Sequence, residues 1–203
     1  MNERREGMTR WDQRYSEAGY AYGIEPNDFL VEIVGRLPRG RALSLAEGEG
    51  RNGVFLAERG FEVTGVDSSA VGLAKARALA AKRGVHLATV QADLAGYTIA
   101  PHSWEVVVSI FCHLPPPVRA RLYREAVAGL TPGGALVLEA YTLRQLELGT
   151  GGPKEPALLV NLAALKAELA GLRFEIAQET EREVREGRLH TGRGAVVQVL
   201  ALR

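Results

Sequence analysis

A glycine-rich turn near residue 50 carries the side chains best suited to binding a small ligand. Glu47-Gly48-Glu-Gly50-Arg-Asn-Gly53 follows a short apolar run, and a second apolar run ends at Asp67. Glycines let a backbone approach a ligand closely and adopt positive φ. A carboxylate at the end of the second run can accept hydrogen bonds from both hydroxyl groups of a ribose. This pattern predicts a nucleoside-binding turn.

The spacing Gly48-x-Gly50-x-x-Gly53 also matches the dinucleotide-binding fingerprint, but Glu47 argues against a diphosphate ligand. Like charges ~4 Å apart at an effective dielectric constant of ~20 repel by about 4 kcal/mol. We expect the Glu47 carboxylate to face the mouth of the turn, where it would hold an ammonium or sulfonium group directly or through water. S-adenosylmethionine carries such a cation, together with a ribose and an adenine, and has no phosphate.

Strands and helices alternate along most of the chain, which predicts an α/β fold with a β-α-β start. The predicted strands are 42–46, 61–67, 85–91, 104–110, 135–141, 174–178 and 195–202. Helical spacing is found at 54–58, from Ser68 or Ser69 to about 83, and at about 118–129 and 158–169. A charged connection containing 187–194 joins the last two strands. Because no helix separates these strands, they must be neighbours, and one must run antiparallel to the rest.

Two short helices and a turn-rich link precede the first strand. Helical spacing of Trp11, Tyr15 and Ala18 ends at Gly19, and a second helix opens at Pro26 or Asn27. One interpretation is a flap that buries its apolar face, and a compatible one is that its aromatic rings close over a ligand. Tyr22, on the link, is the predicted ligand contact.

Composition limits the classes of function. The 203 residues, 46% of them apolar, predict a single domain. Twenty-five Lys and Arg residues against 24 Asp and Glu residues argue against nucleic acid or anionic membranes as partners. Cys112 is the only cysteine, and the four histidines at 86, 102, 113 and 190 are scattered, so no metal site is predicted. A polar start and the lack of an apolar run of ~18 residues predict a cytoplasmic protein.

Four motifs resemble, in order, those of class I S-adenosylmethionine-dependent methyltransferases. They are Leu45-Ala-Glu-Gly-Glu-Gly-Arg-Asn-Gly53, Val66-Asp-Ser-Ser69, Gln91-Ala-Asp93 and Leu130-Thr-Pro-Gly-Gly-Ala-Leu-Val137. The resemblance implies a seven-stranded Rossmann-like sheet in the order 3-2-1-4-5-7-6, with strand 7 antiparallel and helices on both faces. It also implies an N-terminal helical lid at 1–39, a cofactor-binding core at 40–142, and a substrate loop with the C-terminal strands at 143–203.

A narrower resemblance rests on the Ala-Glu-Gly-Glu-Gly-Arg-Asn form of the turn, on Trp11-Asp-x-Arg-Tyr15 and on Tyr22-Gly-x-Glu-Pro26. These residues look like small-molecule methyltransferases of the tellurite-resistance and thiopurine-methylating type. The narrower resemblance favours thiol sulfur, selenium or tellurium as the methylated atom.

The resemblance assigns S-adenosylmethionine as cofactor and a role to each candidate residue. Asp67 would bind the ribose hydroxyls, Asp93 the adenine amino group and Leu94 the adenine ring, with a helix cap and a plain turn aspartate as alternatives for the two acids. The predicted cofactor-binding residues are Tyr22, Glu47, Gly48, Gly50, Asn52, Asp67, Ser68, Asp93, Leu94 and Phe111. The predicted substrate-binding residues are Phe29, His113, Tyr141 and His190.

Methyl transfer is an in-line displacement at carbon that depends mainly on positioning. A soft anionic acceptor needs no base, whereas an oxygen or neutral amine acceptor would benefit from one. His113, after the fourth strand, is the candidate base or acceptor-orienting group, the alternative being a loop histidine without a chemical role. No Asn-Pro-Pro-Tyr or Asp-Pro-Pro-Tyr motif follows that strand, which argues against nucleic-acid bases and for a small-molecule acceptor.

Two other functions stay open at this point. One is an NAD(P)-dependent oxidoreductase, against which Glu47 and the lack of a Tyr-x-x-x-Lys pattern argue. The other is a non-catalytic protein that binds S-adenosylmethionine. The sequence predicts neither the identity of the acceptor nor the oligomeric state.

Overall fold

Seven strands form one sheet in the order β3-β2-β1-β4-β5-β7-β6 in the computed structural model, which describes residues 9–203. The strands are β1 Arg41–Leu45, β2 Glu62–Asp67, β3 Ala88–Gln91, β4 Trp104–Ile110, β5 Leu130–Tyr141, β6 Arg173–Glu186 and β7 His190–Leu202. Strands β1 to β5 pair in parallel, and β7 is antiparallel to both β5 and β6. The predicted fold class and strand order are confirmed.

Helices cover both faces of this sheet. They are α1 Arg10–Tyr15, α2 Asp28–Ile33, α3 Arg51–Glu58, α4 Ala70–Lys82, α5 Pro116–Gly129, α6 Gln145–Leu148 and α7 Leu162–Glu168. One hydrophobic core contains Leu30, Leu56 and Leu79 of α2, α3 and α4. A second core contains Leu122 and Leu165 of α5 and α7. The parallel strands therefore point their carboxyl ends at one common edge, between the two layers of helices.

The β6–β7 hairpin is much longer than the sequence predicted. Pairing runs from Arg173 opposite Leu202 to Glu186 opposite His190, so only 187–189 remain as a turn. The predicted charged connection between residues 178 and 195 is therefore wrong everywhere except at 187–189. Most of its charged residues lie on β6, the outer strand of the sheet, where strand pairing needs no apolar alternation. The extension brings Glu186 and His190 to the ligand-binding edge.

Residues 9–27, hereafter the strap, lie against the glycine-rich turn and α4. Asp12 accepts a hydrogen bond from the Ser69 hydroxyl at 2.6 Å. The amide of Ala21 donates to Glu49 at 2.7 Å, and Lys75 donates to the same carboxylate at 2.8 Å. The strap lies within 1–39, the segment for which a lid was predicted, and α1 ends at Tyr15 rather than near Gly19.

Within residues 9–203, no helix is both long enough and apolar enough to cross a bilayer. The same residues contain no group of three or more His, Cys, Asp and Glu side chains placed to hold a metal ion.

Candidate active site

The turn between β1 and α3 depends on glycine at two positions. Gly48 and Gly50 have φ values of 61° and 99°, in the left-handed region that favours glycine. A Cβ atom on Gly50 would lie 2.7 Å from the Cα of Ala76 in α4. A Cβ atom on Gly48 would lie 2.8 Å from the Tyr15 hydroxyl of the strap. Both glycines therefore allow α4 and the strap to approach the turn closely.

Asp67 lies at the end of β2, directly beside this turn. Its Oδ2 atom accepts a hydrogen bond from the Gly48 amide at 2.9 Å, and its Oδ1 atom accepts one from the Ser69 amide at 2.8 Å. Each carboxylate oxygen has a second lone pair, which stays available to a hydroxyl group of a ligand. Burial raises the pKa of Asp67, and the two amides act in the opposite direction. The carboxylate is thus held rigidly in the orientation that binding a ribose would require.

Glu47 is placed differently from the prediction. Its Oε1 atom accepts the Gly53 amide at 2.9 Å, and its side chain fills space next to Gly65 of β2. Burial raises its pKa to about 7. The expectation that this carboxylate faces the mouth of the turn is wrong, because the missing side chains of Gly53 and Gly65 leave a space between α3 and β2 that Glu47 occupies.

A cleft of about 490 Å³ lies beyond Asp67 and is lined by Thr9, Trp11, Ser68, Gln91, Ala92 and Asp93. The predicted residues Ser68 and Asp93 are therefore brought together, and Asp93 also accepts the Ala95 amide at 2.9 Å, as a turn aspartate does. Trp11 leaves 37% of its surface exposed here, although the sequence favoured Tyr22 as the ligand contact. The size and the aromatic wall fit an adenosine group.

Three other predicted site residues lie away from any open surface of the site. Leu94 is buried in the core beside α5, and Phe29 of α2 is buried in the core on the other face of the sheet, so neither side chain reaches an open surface of the site. Their neighbours in sequence suggested a site, but their side chains point into the protein. Asn52 accepts the amide of Asn27 at 3.0 Å and so joins α3 to the strap.

Aromatic side chains from four segments meet past the ends of β4 and β5. We call this group the aromatic chamber, and its members are Tyr22, Phe111, His113, Tyr141 and His190. The Phe111 ring centre lies 4.6 Å from that of Tyr141 and 4.7 Å from that of His190. The Tyr22 and His190 ring centres are 4.4 Å apart. Phe111 has a φ of 50°, a conformation that a bulky residue rarely adopts and that occurs often at functional sites.

Both histidines of the chamber are neutral at physiological pH. Burial lowers the pKa of His113 to about 4. The Nδ1 atom of His113 lies 3.3 Å from the carbonyl oxygen of Leu158. Since a carbonyl only accepts hydrogen bonds, Nδ1 carries the proton and donates it, and Nε2 is left with a lone pair. Among residues 9–203, this buried Nε2 atom has no hydrogen-bond partner, and neither has Nδ1 of His190.

A buried polar cluster that the sequence did not predict lies next to the chamber. It consists of Asn27, Arg51, Glu139, Arg182, Glu186 and Gln198. Glu186 accepts from Arg51 at 2.5 Å and from Arg182 at 2.7 Å. Glu139 accepts from Arg182 at 2.5 Å and from Gln198 at 2.6 Å. The Nδ2 atom of Asn27 lies 2.8 Å from both carboxylates, so the cluster joins the strap, α3, β5 and the hairpin.

Comparison with known proteins identifies the core. Residues 42–134 match a family model described as a methyltransferase domain. The chain is 32% identical over 134 residues to the glycine/sarcosine N-methyltransferase of Halorhodospira halochloris, a match covering 64% of this chain and 47% of that protein. The chain thus spans about half the length of this curated relative.

Solved structures show the same fold. One, from a study of the conversion of a disulfide bond into a thioacetal group during echinomycin biosynthesis, superimposes with a TM-score of 0.76 at 18% identity, covering 95% of this chain and 87% of that one. TehB from Haemophilus influenzae superimposes with a TM-score of 0.71 at 16% identity, covering 95% of this chain and 65% of that one. Residues 42–134 therefore match a methyltransferase domain. The strand order and the solved structures show the fold of class I S-adenosylmethionine-dependent methyltransferases.

Proposed function

We propose that this protein transfers a methyl group from S-adenosylmethionine to a small-molecule acceptor bound in the aromatic chamber. The observation that carries this proposal is the position of the chamber. It lies at the same sheet edge as the Gly48–Asp67 site and is connected to it through the rings of Tyr15 and Tyr22, whose centres are 6.3 Å apart. The cofactor supplies a methyl group already activated by a sulfonium sulfur, so the protein has mainly to position the acceptor.

We assign the adenosine part of the cofactor to the cleft and the turn. Asp67 would bind the ribose hydroxyls, while Ser68 and Asp93 would contact the adenine opposite Trp11. Gly48 and Gly50 would let the backbone approach the amino acid part of the cofactor. The faces of Tyr15 and Tyr22 suit the sulfonium group, because aromatic faces attract cations by about 0.5–2 kcal/mol.

His113 is proposed as the group that accepts a proton from, or orients, a neutral acceptor. Support comes from the donation of its Nδ1–H to Leu158, which leaves the buried Nε2 lone pair without a partner in the part of the chain that the structure describes. Tyr141, stacked on His113 with ring centres 5.7 Å apart, would limit the directions from which an acceptor reaches that nitrogen. A soft anion would need orientation only, and general base catalysis by His113 would matter for neutral acceptors.

Thiol, selenium and tellurium species are the acceptors that the narrower sequence resemblance favours. The curated relative, a glycine/sarcosine N-methyltransferase by name, supports a small acceptor and adds amines to the candidates. Cys112 is buried and free, which fits the proposed cytoplasmic location. We retain one domain over 1–203, with the lid at 1–39 and the cofactor core at 40–142, as part of the proposal.

Two measurements test the proposed function. Calorimetry should detect binding of S-adenosylmethionine and S-adenosylhomocysteine but not of NADH; the reverse would establish the oxidoreductase alternative. A screen of labelled methyl transfer to thiols, selenols, phenols, amines and oxyanions should then identify the acceptor. Tight cofactor binding with no transfer to any of these classes would favour the non-catalytic alternative.

A further inference from the structure

The polar cluster next to the aromatic chamber is costly to bury and has no assigned role. It contains two guanidinium groups and two carboxylates, with Glu139 fully buried and Glu186 only 4% exposed. Replacing a buried ion pair by apolar residues often leaves stability unchanged or improves it. Net stabilisation therefore does not explain this arrangement, and the segments it connects indicate another role.

We propose that Arg51 is a positioning residue for the acceptor chamber: through its ion pair with Glu186 it holds the β6–β7 hairpin, and with it His190, against Tyr22 and Phe111. This inference rests on the proposed function, because that function makes the chamber the acceptor site. It also gives the Arg-Asn of the glycine-rich motif a role separate from cofactor binding.

Strand register provides the first support. Glu186 is the cross-strand partner of His190 at the end of the hairpin. Side chains of directly opposed residues project from the same face of a sheet, with Cβ atoms about 4.5–5.5 Å apart. The Arg51–Glu186 ion pair, at 2.5 Å, therefore lies beside the imidazole of His190.

The hydrogen bonds of Glu186 provide a second line of support for the positioning role of Arg51. Its Oε1 atom accepts from Asn27 at 2.8 Å and from Arg182 at 2.7 Å, whereas its Oε2 atom accepts from Arg51. Asn27 belongs to the strap and Arg51 is the first residue of α3. The hairpin end is thus fixed to the two segments that also contact the cofactor turn, and Arg51 is the member of the cluster that reaches it from the turn itself.

The charged groups around His190 provide a third line of support. The ionisable groups that face His190 come from every element around it; they are Arg14 of α1, Tyr22 of the strap, Arg51 of α3, His113 after β4, Tyr141 of β5, and Arg182 and Glu186 of β6. Burial lowers the pKa of His190 well below its usual value, and the charge of Arg51 acts in the same direction. Loss of the Arg51 cation would remove one of the positive charges that face the imidazole and would favour its protonation.

The test is an NMR titration of the His190 imidazole in the wild-type protein and in Arg51→Gln and Arg51→Lys. In the wild type the His190 imidazole should stay neutral well below the pH at which a free imidazole titrates. In Arg51→Gln its titration should shift to higher pH, because one of the cations that oppose its protonation is gone while burial still opposes it. Arg51→Lys keeps a cation within reach of Glu186 and should restore the wild-type behaviour. Unchanged titration in Arg51→Gln would overturn the proposal.

The chain offers a matched control in a second buried ion pair. Arg119 of α5 binds both oxygens of Glu168, with an Nη2–Oε1 distance of 2.9 Å, far from His190 in sequence and on the opposite side of the sheet from α3. Arg119→Gln should lower thermal stability without changing the His190 titration. An equal change in both Gln variants would assign Arg51 a general structural role only.

A second measurement decides the role of Arg51 if Arg51→Gln does not fold. Nuclear Overhauser contacts between the Arg51 guanidinium and the His190 ring are expected in the wild type, and their absence would contradict the pairing. Neither readout requires methyl transfer. A protein that binds no S-adenosylmethionine would therefore refute the proposed function, and the titration would still decide the role of Arg51.

Discussion

Asp67 is the single residue on which cofactor affinity should depend most. It is buried, and two amides fix its carboxylate beside the glycine-rich turn. Asp67→Ala should weaken S-adenosylmethionine binding by ~1–3 kcal/mol, the usual effect of losing hydrogen bonds to a charged group. Calorimetry measures this loss, with thermal unfolding checked in parallel because Gly48 and Ser69 lose a partner too. Asp93→Ala is the comparison, and an equal loss there would mean that the ribose site has been misassigned.

His113 should make the protein sensitive to acid. Its folded-state pKa of about 4 lies below the ordinary value of about 6.5, so the folded protein binds fewer protons than the unfolded chain between these two values. The stability contributed by the neutral imidazole is present above about pH 6.5 and is lost as the pH falls to about 4, up to about 3 kcal/mol in total. Denaturant unfolding across this range should show a shallower decline for His113→Gln. A decline as steep in His113→Gln as in the wild type would contradict this assignment.

The sequence predicted which candidate residues share a sheet edge but not their side-chain directions. Asp67, Asp93 and His113 lie at or just after the carboxyl ends of β2, β3 and β4, and chain position alone predicts that they meet at one edge of a parallel sheet. Glu47 and Leu94 occupy equally suggestive positions, yet their side chains enter the protein interior. Which way a loop residue points depends on the space left by distant residues such as Gly65, and a sequence pattern does not contain that information.

Among the elements, the contact between strap and hairpin is controlled by glycine. A Cβ atom on Gly187 would lie 2.4 Å from the backbone nitrogen of Gly23, so alanine at 187 would force the two segments apart. Gly187→Ala should raise the rate of hydrogen exchange in the strap and expose the aromatic chamber. Mass-spectrometric hydrogen exchange measures both effects.

Gly84→Ala is the matched control for that change. Gly84 has a φ of 70°, close to the 68° of Gly187, but has nothing within 4 Å of its Cβ position. Both substitutions carry the same backbone strain of about 1–2 kcal/mol. Faster exchange in the strap of the Gly84 variant as well would show that global destabilisation, and not the contact with Gly23, is responsible.

Across the whole molecule, what the sequence could not predict is long-range polar pairing. Asn27 and Glu186 are 159 positions apart, and Asn27 and Glu139 are 112 apart. Apolar periodicity predicted the strands β1, β2, β4 and β5 because each of them buries most of its side chains in the core. The outer part of the hairpin is charged, and nothing local indicates that its acids are buried against the strap. The cluster therefore becomes visible only when the strap, α3 and the sheet are assembled.

Assembly around the cofactor leads to a prediction for the entire chain. S-adenosylhomocysteine at 100 times its dissociation constant should stabilise the folded protein by about 2.7 kcal/mol. Because Asp12, Tyr15 and Ala21 contact the turn and α4, protection from hydrogen exchange should spread from β1–α4 into the strap. Hydrogen exchange at the β3 edge should change little beyond Gln91. Lys75→Met removes the cation that binds Glu49 and two strap carbonyls, so it should reduce the protection of the strap selectively. Protection confined to β1–α4 in the wild type would mean that the strap does not close over the cofactor.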